Sequence, residues 1–222
     1  MGGVSPPTRV LVVDDDPLVR SALGLMLGGA TDLEIVGEAP DGHAALRCVG
    51  DLRPDVVLMD IRMPVLNGLE ATRLLHEQAS PPRVIVLTTF DADDNVLDAI
   101  AAGADGFLLK DTPPEQIVEA VRAVAAGDPM LSASATRAVL DRLRGTGVDD
   151  RQAQAEERLA GLTERERDVA LAVGRGLSNA EIARELFLSV PTVKAHVSRV
   201  FEKLGVTNRV QIAICVHDAG LT

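Results

Sequence analysis

Four apolar runs, far apart in the chain, each stop on residues able to do chemistry. Residues 56–59 (VVLM) end on a lone carboxylate, Asp60, and residues 9–13 (RVLVV) end on Asp14, Asp15 and Asp16. Residues 83–87 (RVIVL) end on Thr88 and Thr89, and residues 106–109 (GFLL) end on Lys110. Any one of these is unremarkable, since a carboxylate at a strand end commonly caps the next helix. Gathered at one place they would be different. Carboxylates brought within a few ångströms repel, and one of them must keep a proton unless a cation compensates. Oxygen donors without His or Cys suit Mg²⁺, which keeps waters free for phosphate oxygens. A fixed ammonium at Lys110 and a hydroxyl at Thr88 supply the remaining parts for holding a phosphoryl group on a carboxylate nucleophile, for which Asp60 is the natural choice.

The elements that must position these residues follow from the pattern around them. The run before Asp60 has the composition of a strand buried on both faces, and Pro64 with Asn67-Gly68 fixes the loop after it. Pro17 suits the first turn of a helix over 18–27, and residues 33–38 alternate as a strand. Asp41-Gly42 starts a helix through Ala45, Leu46 and Val49; further helices are predicted over 69–76 and over 92–102, the latter closed by Gly103. The sequence Thr112-Pro-Pro-Glu115 reads as a capping box for a helix stopped at Gly127. Strand and helix alternate five times, with connections long enough for parallel pairing. The expected fold is therefore α/β, a doubly wound five-stranded parallel sheet in the flavodoxin-like manner, followed by a small all-α domain. Ligand sites in such sheets lie outside the carboxyl ends of the strands, where Asp14, Asp15, Asp60, Thr88 and Lys110 are predicted to converge.

A chain of 222 residues with 46% apolar content accommodates two domains with real cores. It contains no stretch of eighteen apolar residues and no charged start followed by an apolar run, so a cytoplasmic protein without a membrane span is expected. Cys48 and Cys215 lie in apolar helical patterns with no CxxC or Cys/His cluster, which fits reduced core residues rather than zinc ligands. The net charge of −11 is uneven: residues 1–127 hold 20 acids and 9 bases, whereas residues 159–222 hold 7 and 8. An acidic total neither shows nor excludes a local basic surface for a phosphate backbone.

The expected organisation is a first domain over residues 8–127, a linker over 128–158, where Gly145, Gly147, Asp149 and Asp150 interrupt the periodicity around a helix at 133–144, and a second domain over 159–222. Two capping boxes, Thr163 to Glu166 and Ser178 to Glu181, open two helices. A third runs from Ser189 with Val193, Val197, Val200 and Leu204 on one face, and a fourth covers 209–217. A short capped helix, a turn at 187–189 and a longer helix make a helix-turn-helix, whose second helix would enter the major groove of double-stranded DNA. Its outer stripe carries Thr192, Lys194, Ala195, Ser198 and Arg199, and Lys194, Arg199 and Lys203 against Glu202 make it locally basic.

The strings VLVVDDDPLVR, DVVLMDIRMPVLNGLEA, VIVLTTF and GADGFLLKD resemble the receiver domain of bacterial two-component response regulators. The string from Leu162 to Ile214, beginning LTERERDVALAVGRGLSNAEIARELFLSVPTVKAHVSRV, resembles the LuxR-type domain of the NarL/FixJ family. The resemblance implies Asp60 as phosphoacceptor for a sensor histidine kinase. It implies Mg²⁺ bound by Asp15, Asp60 and the main-chain carbonyl of Arg62, with Asp14 acting through the metal's waters. It also implies Thr88 as the switch hydroxyl, Lys110 as the phosphate-binding lysine and Phe107 as the switch aromatic, for which core packing is the plain alternative. In the second domain it implies Lys194, Ala195 and Ser198 near base edges, and Thr192, Arg199, Asn208 and Arg209 near phosphates. The last helix, with Val210, Ala213, Ile214 and His217, resembles a dimerisation helix, so a homodimer on activation is expected, and His196 is read as a packing residue.

Departures from the usual pattern are Asp16 after the acidic pair, Pro191, and the bulky Phe187 and Phe201. The implied function is that of a DNA-binding transcription regulator switched at Asp60, and not an enzyme beyond phosphoryl transfer and self-dephosphorylation. Two alternatives stay open at this point: a regulator that works without phosphorylation through a pseudo-receiver, and a Mg²⁺-dependent aspartyl-phosphate phosphatase of the haloacid-dehalogenase type. The latter places an acid two residues after its nucleophile, where this chain has Arg62.

Overall fold

In the computed structural model, residues 6–88, 92–131 and 148–221 are described. The chain divides into two compact units. In the first, strands β1 (Thr8–Val13), β2 (Leu33–Ala39), β3 (Val56–Asp60), β4 (Arg83–Thr88) and β5 (Gly106–Leu109) alternate with helices α1 (Pro17–Gly28), α2 (Gly42–Leu52), α3 (Gly68–His76), α4 (Ala92–Ala102) and α5 (Pro114–Ala126). All strand pairs are parallel, as helical crossovers require. The central strands are buried on both faces because helices cover both: Val10, Val12, Val56, Leu58, Ile85 and Leu87 pack with Leu23, Leu27, Ile117 and Val121 of α1 and α5. On the other side α2, α3 and α4 lie in sequence, α2 beside α3 and α3 beside α4.

The sheet has six strands, not the five expected, in the order β2-β1-β3-β4-β5-β6. Residues Met130–Leu131, placed in the linker by the sequence reading, form β6 by pairing with Gly106 and Phe107. Two residues carry no period, so no pattern could disclose this strand. It exists because β5 otherwise presents unpaired backbone groups at the sheet edge, and because Gly106 has no Cβ to hold off the Met130 carbonyl.

The second unit is helical. It contains α6 (Val148–Ala160), α7 (Glu164–Gly174), α8 (Asn179–Glu185), α9 (Val190–Leu204) and α10 (Arg209–Asp218). Both capping boxes form as the spacing predicts, with Thr163 and Ser178 accepting from the amides of Glu166 and Glu181. Ser189 caps α9, Pro191 sits in its first turn, and Gly205 at φ 62° ends it. Helix α6 also differs from the linker expected over 128–158. Ala155 and Leu159, one turn apart, bury 95% or more of their surface against α9 and α10, so this stretch supplies part of the core of the second unit. The helix expected at 133–144 lies outside the described residues, as does Thr89. Among the described residues no helix is long and apolar enough to cross a membrane.

Candidate functional site

Parallel register brings the chemistry-bearing residues to one sheet edge. Val13 lies opposite Met59, so Asp14 follows beside Asp60; Asp60 lies opposite Leu87, so Thr88 follows on the next strand; Thr88 lies opposite Leu109, so Lys110 completes the row. Oxygens of Asp14, Asp15 and Asp60 come within 4.8 Å of one another. Nζ of Lys110 stands 2.7 Å from Oδ2 of Asp14 and 3.0 Å from Oδ2 of Asp60. The amide of Lys110 donates to the Thr88 carbonyl at 2.7 Å, fixing where the lysine leaves the strand.

Asp14, Asp60 and Thr88 are buried, while Asp15 is exposed. Burial pushes the Asp60 carboxyl above its ordinary range, and the neighbouring charge of Asp14 adds to this, against the opposing pull of Lys110 and of the Arg62 amide that donates to it. Burial would depress Lys110, yet the two carboxylates outweigh it and hold the ammonium above its usual value. Asp14 Oδ2 has the charge of Lys110 beside it but no hydrogen bond in correct geometry. A buried carboxylate oxygen left in this way, within an all-oxygen cluster open on the Asp15 side, suits a small hard cation.

The loop after Asp60 is shaped by close approach. A Cβ on Gly68 would lie 1.9 Å from the Asp60 carbonyl oxygen, so only glycine lets α3 begin this near the end of β3. Asn67 caps α3 by accepting from the Glu70 amide at 2.9 Å, and the Gly68 amide donates to Ile61. Between them, Leu66 N–H reaches the Pro64 carbonyl at 2.9 Å and Val65 takes φ 69°, a costly conformation for a β-branched residue. Phe107 is fully buried, in the position that serves core packing. Asp16, the unusual third acid, caps α1 by accepting from the Leu18 amide. The sequence reading did not single out Arg20, whose guanidinium holds the Asp14 carbonyl; its signal was that it is the one charged residue on α1.

In the second unit, Val193, Val197 and Val200 are buried, and Lys194, Ala195, Ser198 and Arg199 stand exposed on the opposite side of α9, with Thr192 half-buried at its start. His196 is half-buried at the border, with Nδ1 accepting no hydrogen bond. Lys203 is diverted from that stripe, since Nζ donates to Glu166 Oε2 at 2.7 Å and holds that carboxyl down at about 2. Asn208 and Arg209 do not join the exposed set. Asn208 is fully buried and caps α10, while Arg209 is 6% exposed and donates to Asn179 Oδ1 at 2.9 Å and to the Leu177 carbonyl. Both are consumed inside the unit; Asn208 caps its own helix three residues on, and local sequence could not disclose the role of Arg209 because its partners lie about thirty residues away. Phe187 is 94% exposed at φ 56°, in the turn before α9, whereas Phe201 packs against the core.

Of the four residues expected on a dimerisation face, Val210 is buried within its own fold, Ala213 and Ile214 are half-buried, and His217 is exposed. Ile214 lines a cleft of about 300 Å³ together with Ala155, Arg158, Val206 and Cys215. Arg158 reaches across from α6 to donate to the Leu204 carbonyl at the end of α9.

A phosphate-competent acidic edge on a parallel sheet and a separate helix-turn-helix define a switched DNA-binding regulator, and similarity to known proteins agrees. Residues 10–122 match the model of the response regulator receiver domain, and residues 160–216 match that of the bacterial regulatory proteins of the luxR family. The chain is 39% identical over 209 residues to the transcriptional regulatory protein LiaR of Bacillus subtilis, covering 94% of this chain and 96% of that protein. It is 36% identical over 212 residues to the nitrate/nitrite response regulator NarL of Escherichia coli, covering 96% of each. The crystal structure of the response regulator ChrA of a heme-sensing two-component system superposes with a TM-score of 0.53 at 34% identity, over 98% of this chain and 100% of that one. The chain belongs to the two-component response regulators that couple a receiver domain to a LuxR-type DNA-binding domain, and it is a phosphorylation-switched transcription regulator.

Proposed function

We propose that Asp60 is the phosphoacceptor and that the edge around it is the switch. The observation that carries this is the position of Lys110 between Asp14 and Asp60. An Oδ of Asp60 attacks the phosphorus of a phosphohistidine on a sensor kinase; the new P–O bond forms as the P–N bond breaks, and the histidine leaves with its electron pair and takes up a proton. Asp15, Asp60 and the main-chain carbonyl of Arg62 would hold Mg²⁺, with Asp14 acting through its waters, and the cation would neutralise charge on the phosphoryl oxygens. Lys110 then exchanges a carboxylate partner for a phosphoryl oxygen, and the Thr88 hydroxyl supplies a further hydrogen bond. The movement of Thr88, with repacking of Phe107, alters the outer face of residues 8–127. The chain takes part in this transfer and in its own dephosphorylation, and is not otherwise an enzyme.

The output is binding of double-stranded DNA by residues 159–222, extended by α6, as a homodimer in the cytoplasm. Lys194, Ala195 and Ser198 face base edges, and Thr192 and Arg199 face phosphates. Ala213, Ile214 and His217 offer the dimer contact. The test is operator-length DNA binding and solution mass, with and without Mg²⁺ and beryllofluoride, for the wild type and Asp60→Ala. Tightened binding or dimerisation that requires Asp60 is expected. Indifference of both proteins to beryllofluoride would overturn the reading.

A further inference from the structure

Asp14 is the most enclosed member of the acidic cluster, with no accessible surface, and its conformation is set from several sides. Its amide donates to the Ala39 carbonyl at 3.1 Å, and its Oδ1 accepts from the Asp16 amide at 3.0 Å. Its carbonyl oxygen accepts from Nη1 of Arg20 at 2.7 Å. Arg20 is itself held, since Nε donates to Glu38 Oε2 on β2 at 3.1 Å and the side chain is 17% exposed. One guanidinium therefore ties the end of β1 to the end of β2 and to the first turns of α1, directly behind the carboxylates. A planar fork with two acceptors at fixed separation holds a backbone more rigidly than a single ammonium can.

We infer that Arg20 is a positioning residue for the cation-binding carboxylates: by fixing the Asp14 carbonyl it aims Asp14 and Asp15 at the position the cation takes, and Glu38 fixes Arg20. This rests on the reading of the acidic edge as a Mg²⁺ site. Groups that orient ligands without touching the metal control affinity. Electrostatics alone gives the opposite sign, because removing a positive charge near an acidic cluster tightens cation binding. The two effects are therefore separable by experiment.

The test is Mg²⁺ binding by isothermal titration calorimetry to the full chain, for the wild type, Arg20→Ala, Arg20→Lys, Glu38→Gln, Asp60→Asn and Arg122→Ala. Arg122 pairs with Asp32 at 2.7 Å, both on the surface and outside the acidic edge, so its loss changes the net charge equally without touching the contacts of Asp14. Arg20→Ala is expected to weaken Mg²⁺ about tenfold. Arg20→Lys should recover part of that loss, Glu38→Gln should weaken binding less than Arg20→Ala, and Arg122→Ala should leave it within about twofold of the wild type. In the metal-free protein, the Asp16 amide resonance should shift in Arg20→Ala and stay in place in Arg122→Ala, a readout independent of phosphorylation. Arg20→Ala binding Mg²⁺ as well as Arg122→Ala, or more tightly, would overturn the inference, whatever its effect on thermal stability. Binding by the wild type that Asp60→Asn abolishes upholds the Mg²⁺ site, so a missing Arg20 effect then counts against the positioning role alone. A wild type that does not bind Mg²⁺ overturns both.

Discussion

Nζ of Lys110 lies 3.0 Å from Oδ2 of Asp60, yet the carboxyl of Asp60 still takes up a proton more readily than an ordinary aspartate. Burial at the end of β3 outweighs the ion pair. Asp60 is thus kept in a site that disfavours its own charge, which is the usual relation between a reactive group and the stability of its fold.

A stability prediction follows from the sign of that shift. The folded state holds the Asp60 proton more tightly than the unfolded chain, so the contribution of Asp60 is fully present below 3.8 and is lost as pH rises through its raised folded value. At pH 7 the ionised carboxylate is a net cost. Asp60→Asn is expected to raise the calorimetric melting temperature at pH 7 and to lose that advantage near pH 3. A lower midpoint than wild type at pH 7 would contradict the balance of burial over pairing.

Gly68 should tolerate no side chain. With a Cβ 1.9 Å from the Asp60 carbonyl oxygen, Gly68→Ala must displace α3 or the end of β3. The expected loss is about 2 kcal/mol or more, measured by urea unfolding, together with slower acetyl-phosphate labelling of Asp60.

Glu166 titrates at about 2, with the Lys203 ammonium as the largest cause and the Thr163 amide and hydroxyl assisting. Its folded value lies below its unfolded one, so its contribution is present above 4.5 and is lost as pH falls through about 2. In Lys203→Met the side-chain carboxyl carbon of Glu166, followed by NMR, should titrate closer to 4.5. A midpoint that does not move would assign the depression to the capping box alone.

Leu159 shares the core of the second unit with Ala155, which lies in the stretch expected as linker. Leu159→Ala leaves a void in the core it shares with Val200, Leu204 and Cys215, and is expected to cost about 2–5 kcal/mol in unfolding of that unit. A fragment beginning at residue 159 should be less stable than one beginning at 148, since it lacks Ala155 and the Arg158 donor to Leu204. Equal melting temperatures of the two fragments would show that α6 adds nothing.

Lys194 and Arg209 should separate cleanly in DNA binding. Lys194→Ala is expected to weaken binding and to relax base preference, since Lys194 is proposed to face base edges; a weakening uniform across sequences, with the slope of log affinity against log salt reduced by about one, would place it on a phosphate instead. Arg209→Ala removes one donor each from Asn179 Oδ1 and the Leu177 carbonyl, so about 1–3 kcal/mol of stability should be lost with the salt slope unchanged. A reduced slope for Arg209→Ala would return it to the phosphate-contacting set.

The sequence by itself determined the order of strands and helices, the caps at Thr163, Ser178 and Ser189, the exposed stripe of α9, and the convergence of Asp14, Asp60, Thr88 and Lys110. Each of these is written in local periodicity or in the rule that parallel strands expose their carboxyl ends together. Only the tertiary structure decided the rest. It turned Arg209 inward and drew the exposed Lys203 across to Glu166, because a charged side chain goes where a distant carboxylate, amide or carbonyl satisfies it, and those partners lie some 30 to 37 residues away. It recruited 130–131 as an edge strand and 148–160 as a core helix, because an unpaired sheet edge and an uncovered apolar face are properties of assembled elements. It also explained Gly68, whose necessity comes from the carbonyl of Asp60 standing where a methyl group would be.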